Sequence, residues 1–158
     1  MNSNKTILST SNLSIGYQSK KEKNIIAENL NLTFEQGKLI SLVGGNGIGK
    51  STLLRTITGI QKPLAGTVTL KEKEIHLYDS LSLAQNLSLV LTEKLPPSNL
   101  TVFEIVGLGR QPYTNWIGRL EKKDIEKINW ALDQTETMSL ANRHFNELSD
   151  EEFQEKSV

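Results

Sequence analysis

Apolar residues fall into distinct patterns along this chain, and each pattern predicts a different element. Over residues 7–17, partial alternation at Leu13, Ile15 and Tyr17 in a Ser- and Thr-rich stretch predicts a strand. A Lys-rich polar turn follows over 18–24. Further extended structure is expected at 25–27 (Ile-Ile-Ala) and at 30–34, where Leu30, Leu32 and Phe34 share one face. The Glu-Gln-Gly-Lys run at 35–38 reads as a turn, so this early part is expected to be an antiparallel β unit. Residues 39–43 (Leu-Ile-Ser-Leu-Val) do not alternate and stop at a glycine cluster, the pattern of a strand covered on both faces. Beyond the glycines, Leu53, Leu54, Ile57 and Ile60 recur at helical spacing, with Gly59 and Pro63 as stop signals.

The second half is read in the same way. Residues 66–70 (Gly-Thr-Val-Thr-Leu) predict a short strand with a charged hairpin partner, and 87–91 (Leu-Ser-Leu-Val-Leu) a second buried strand. Thr101 fits the cap of a short helix through Leu108, with Val102, Ile105 and Val106 on one side. An irregular aromatic loop is expected over 109–119. Ile125, Ile128 and Leu132 place an amphipathic helix over 124–137.

Composition narrows the function. The 158 residues carry 18 Lys and Arg against 18 Asp and Glu, a net charge of zero. A nucleic-acid partner or a polybasic membrane surface needs clustered excess charge, so neither is expected. With no cysteine, disulfides, thiolate metal sites and cysteine nucleophiles are excluded. No apolar run approaches a membrane span and the first residues lack the stretch of a signal peptide, so a soluble intracellular chain is expected.

The candidate chemistry sits in one run. Gly44, Gly45, Asn46, Gly47, Ile48, Gly49, Lys50, Ser51 and Thr52 fit the phosphate-loop pattern G-x-x-x-x-G-K-[ST] at every fixed position. A loop that wraps phosphates must aim successive backbone N–H groups inward, and side chains at several positions would obstruct it. The loop opens a helix, whose first N–H groups and dipole favour an anion. Lys50 supplies a point charge to the β- and γ-phosphates, and Ser51 a hydroxyl to the Mg²⁺ that bridges them.

These residues, continued by Leu53, Leu54 and Arg55, resemble the Walker A stretch of ABC transporter ATPases, with Gly45 where proline is usual. The run from Pro63 to Val68 resembles that family's continuation, and the stretches 100–110 and 112–120 resemble the helical subdomain of its iron-siderophore, haem and cobalamin importers. Asn146, Glu147, Leu148 and Ser149 resemble the entry to the ABC signature motif. The resemblance spans nearly the whole chain. It implies an α/β phosphate-loop cassette: an N-terminal antiparallel β subdomain with the Walker A core (1–92), then a helical subdomain reaching the signature (93–158).

The resemblance also implies roles. Tyr17 falls where the family places an aromatic that stacks on adenine; the alternative is a ring packed in the sheet. Thr92 stands where the family usually has a glutamine that senses Mg²⁺, and is a candidate metal contact. Ser149 would meet the γ-phosphate held by a second cassette, but Glu151 replaces a glycine there, and a plain helix start is the alternative reading. The family's Walker B strand, catalytic Glu and later His have no counterparts: residues 76–79 and 89–93 fit neither in type nor in order, and His76 and His144 come too early. The expectation is therefore a C-terminally truncated cassette, with exposed apolar surface beside 39–43 and 87–91. Its complete form would bind ATP and Mg²⁺, pair as a homodimer, and power a membrane permease from the cytoplasmic face. The alternative is a nucleotide-binding module without hydrolysis.

Overall fold

A computed structural model describes residues 5–90 and 98–148. They fall into two compact units that divide between Leu89 and Val90.

The first unit is built on one long strand. β1 (Thr6–Gln18) pairs antiparallel with three others: β2 (Lys23–Leu30), β3 (Thr33–Glu35) and β4 (Ala65–Leu70). The short β5 (Lys73–Glu74) closes the order β2-β1-β4-β5, with β3 beside β1. Irregularities between Leu13 and Gly16 and between Ser11 and Ser14 let β1 serve different partners along its length. Thr10 ties the segment between β2 and β3 to the sheet: its hydroxyl donates to the Leu30 carbonyl (2.8 Å) and accepts from the Leu32 N–H (2.9 Å). The expected antiparallel β unit is thus present.

α1 (Lys50–Ile57) follows the phosphate loop. Its Ile57 joins Leu8, Leu13, Ile15, Val68, Leu70 and Ile75 in the core. A second helix, α2 (Ser80–Asn86), has no apolar stripe long enough to have been read from the sequence. Asp79 caps it, accepting from the Ser82 N–H (2.8 Å) and the Ser82 hydroxyl (2.6 Å). That hydroxyl bond, then the backbone one, holds the Asp79 carboxyl below its usual value.

Two expected strands are corrected. Residues 39–43 form no strand, and Leu39 and Val43 are 99% and 89% exposed. Residues 87–90 are likewise unpaired, with Val90 93% exposed; Leu91 lies outside the described residues. The physical reason is shared: a strand is a pairing between segments, and no described strand lies alongside either run.

The second unit is helical. α3 (Val102–Leu108) starts at a reciprocal cap: the Glu104 N–H donates to the Thr101 hydroxyl, and the Thr101 N–H to Glu104 Oε2. Those Thr101 bonds, backbone first, hold Glu104 below its usual carboxylate range. α4 (Lys122–Gln134) packs on α3 through Ile128 and Leu132, with Gly107 of α3 facing Ile128. It ends before the expected Thr137 because Glu136 turns to φ +54° and the Thr137 N–H returns to the Leu132 carbonyl. Ile125, expected on the apolar face, is 41% exposed.

One ion pair organises this unit. Asp124 is fully buried; its Oδ1 accepts from Arg110 Nε (3.0 Å) and Nη2 (2.9 Å), and its Oδ2 from the Glu121 N–H (3.0 Å). The Glu121 bond, then the Arg110 bond, depress the Asp124 pKa. Arg110 also lies 4.1 Å over the Tyr113 ring. Tyr113 therefore anchors the aromatic loop, whereas Trp116 is 94% exposed. Residues 141–145 run along the start of α3: the Val102 and Phe103 N–H groups donate to Arg143 and Ala141, and His144 Nδ1 to the Asn99 carbonyl (2.7 Å).

Candidate functional site

The site grows from the junction of loop and helix. Gly47 has φ +80° and Gly49 φ +106°, conformations closed to residues with a Cβ except under strain. At Gly49 a second constraint acts: an added Cβ would overlap Ile26 Cγ2 of β2. Around Gly45 and Gly47 no atom lies within 4 Å of where a Cβ would stand, so one wall of the loop is open. The loop is close-packed where it meets the sheet and unobstructed where a ligand would enter.

Lys50 opens α1 and turns back over the loop. Its Nζ donates to the carbonyls of Gly44 (2.7 Å) and Gly45 (2.8 Å). The ammonium thus sits within the loop's own curve. Ser51 is exposed in the first turn, and no acidic residue occupies that turn to oppose an anion. Thr52 is buried; its carbonyl accepts the Thr56 hydroxyl (2.7 Å), and its own hydroxyl lies 3.1 Å from that of Tyr17. Tyr17, half exposed near the end of β1, therefore stands directly beside the phosphate loop.

The structure brings together Tyr17 and the whole run from Gly44 to Thr52. Thr92 and Ser149 lie outside the described residues, as does Glu151. Two contributors escaped the sequence reading. Ile26 packs on Gly49, and Gln61 donates from Nε2 to the Gly16 carbonyl next to Tyr17. Neither carries a local signal, because each acts on a residue far away in sequence.

The residues present fit a nucleotide triphosphate with Mg²⁺. The open wall of glycines, the inward ammonium and the helix start supply an anion cradle, and Ser51 supplies a hydroxyl. Among the described residues, no group of three or more His, Asp or Glu is placed to hold a metal.

The family model for ABC transporters matches residues 27–156. The chain belongs to that family. Several ABC relatives are similar over nearly all of it. An uncharacterised ABC transporter ATP-binding protein of Methanocaldococcus jannaschii is 39% identical over 94% of this chain and 50% of its own length. The iron(3+)-hydroxamate import ATP-binding protein FhuC of Bacillus subtilis is 39% identical over 90% of this chain and 51% of its own. The ferric enterobactin transport ATP-binding protein FepC of Escherichia coli is 34% identical over 87% and 49%. The chain spans about half the length of these ABC relatives. A solved dimeric bacterial ABC transporter cassette superposes with a TM-score of 0.76 at 25% identity, over 92% of this chain and 65% of that one. A nucleotide-free cassette gives 0.70 at 26%, over 92% and 60%. The fold is that of an ABC ATPase cassette.

Proposed function

We propose that this chain carries the nucleotide-binding part of an ATP-binding subunit that powers an ABC importer for iron chelated by siderophores. The observation that carries the reading is the phosphate loop, with Lys50 turned into its curve and Tyr17 at its edge. Residues 44–52 would wrap the phosphates of MgATP. Lys50 would exchange its two loop carbonyls for phosphate oxygens, a stronger charge-assisted pairing. Ser51 would ligate Mg²⁺, and Tyr17 would offer its ring face to adenine. Thr92 is proposed as a second contact to the metal, and Ser149 as the contact to the γ-phosphate of a paired cassette.

In this reading residues 1–92 form the β subdomain with the Walker A core, and 93–158 the helical subdomain up to the signature. The whole protein would work as a pair of cassettes on the cytoplasmic face of a membrane permease and drive uptake by ATP hydrolysis. The siderophore cargo is supported by the names of the relatives, which act in hydroxamate and enterobactin transport. Haem and cobalamin importers are the other cargo classes to compare.

The test is calorimetric titration of MgATP into the chain and into Lys50→Met. Binding that weakens at least about tenfold in the variant is expected. Equal affinity in both would overturn the assignment of the loop. Cargo is tested with the protein reconstituted on a permease in proteoliposomes. ATP-dependent uptake of ferric hydroxamate supports the reading; retained ATP binding with uptake of haem or cobalamin instead would replace it.

A further inference from the structure

The end of β1 meets the phosphate-loop helix and the segment just beyond it at three points. Ile15 and Ile26 close over Gly49, Gln61 donates to the Gly16 carbonyl, and the Tyr17 hydroxyl meets Thr52 Oγ1 at 3.1 Å. The first two seat side chains on glycine backbone. The third holds a side chain that is otherwise half exposed.

We infer that Thr52 is a positioning residue for Tyr17: its hydroxyl fixes the Tyr17 ring beside the loop, so that a triphosphate bearing a base is favoured over bare triphosphate. This rests on the nucleotide reading above. The phenolic oxygen lies on the axis about which the ring turns. A hydrogen bond there fixes the direction of the ring's long axis and leaves only rotation about that axis free. The ring is thus aimed, while its flat face can still turn onto a base. Thr52 is itself buried in α1, its carbonyl accepting from the Thr56 hydroxyl. The hydroxyl that aims the ring therefore belongs to the helix that would hold the phosphates, and the distance from base site to phosphate site is set by one rigid element.

Tyr17→Phe keeps the ring and removes the hydroxyl. Thr52→Val removes the partner at nearly constant shape, and Thr52→Ser restores a hydroxyl. The probes are MgATP and magnesium tripolyphosphate, titrated into the chain by calorimetry, with each variant's fold checked by circular dichroism. Tyr17→Phe is expected to raise the MgATP Kd about three- to tenfold and leave tripolyphosphate unchanged. In the Thr52→Val background, Tyr17→Phe is expected to add nothing further for MgATP. Thr52→Ser is expected to keep the wild-type ratio of the two affinities. If the wild-type chain binds both probes and Tyr17→Phe leaves the MgATP Kd unchanged, or the two substitutions multiply independently, the inference falls and the nucleotide reading stands. If the wild-type chain binds neither probe, the nucleotide reading falls and takes the inference with it.

Discussion

At Gly49 two constraints meet in one residue: φ of +106°, and Ile26 where a side chain would begin. Gly49→Ala is expected to destabilise the chain by about 1–3 kcal/mol and to abolish nucleotide binding, as urea melts and titration would show. The glycines, Lys50 and Ser51 were legible because the phosphate-loop pattern is local and each position has a steric or charge reason. Gln61 and Ile26 were not, because their partners, Gly16 in β1 and Gly49 at the start of α1, are remote in sequence. Asp124 lies between these cases. The sequence reading placed it at the start of a helix, but not its buried pairing with Arg110. Its depressed pKa gives a signed expectation. The stability it contributes is fully present above the ordinary aspartate value of 3.8 and is lost as pH falls through the lower, folded value. Asp124→Asn should therefore be less stable than wild type at pH 7, with the gap closing below about pH 4. Urea midpoints of both proteins across that range check it.

Among the elements, those with a local grammar were readable. The Thr101–Glu104 cap is a two-residue signal at fixed spacing, and α3 begins where it says. Thr101→Ala should cost about 1 kcal/mol in urea unfolding. The Asp79–Ser82 cap of α2 has the same grammar, but no apolar run drew the eye to it. The β4–β5 hairpin shows a local conflict. Its turn residues, Lys71 and Glu72, both take positive φ (48° and 68°), a conformation that favours Asn-Gly. Glu72→Gly should therefore stabilise the chain by about 1 kcal/mol, measured as a higher urea midpoint at unchanged slope. Residues 39–43 show the limit of periodicity. The pattern says that a segment can be buried on both faces, but not that neighbours exist to bury it.

For the whole molecule, the fold class was implied by the resemblance that the phosphate loop and the later stretches carry, and the family match agrees. Exposure is where the molecule departs from a settled core. Leu39, Val43 and Val90 are almost fully open to solvent. Apolar runs with free backbone edges pair with other chains. At high micromolar concentration the chain is expected to self-associate and to bind the dye ANS; light scattering that stays monomeric across dilution, with no dye signal, would contradict this. The two bonds from Lys50 to the Gly44 and Gly45 carbonyls carry a consequence of another kind. They brace the loop whose charge Lys50 also provides, so replacing that lysine removes preorganisation together with attraction. Part of the lost affinity in such a variant should appear in calorimetry as a less favourable binding entropy. A Lys50 variant is thus no pure measure of the lysine's charge.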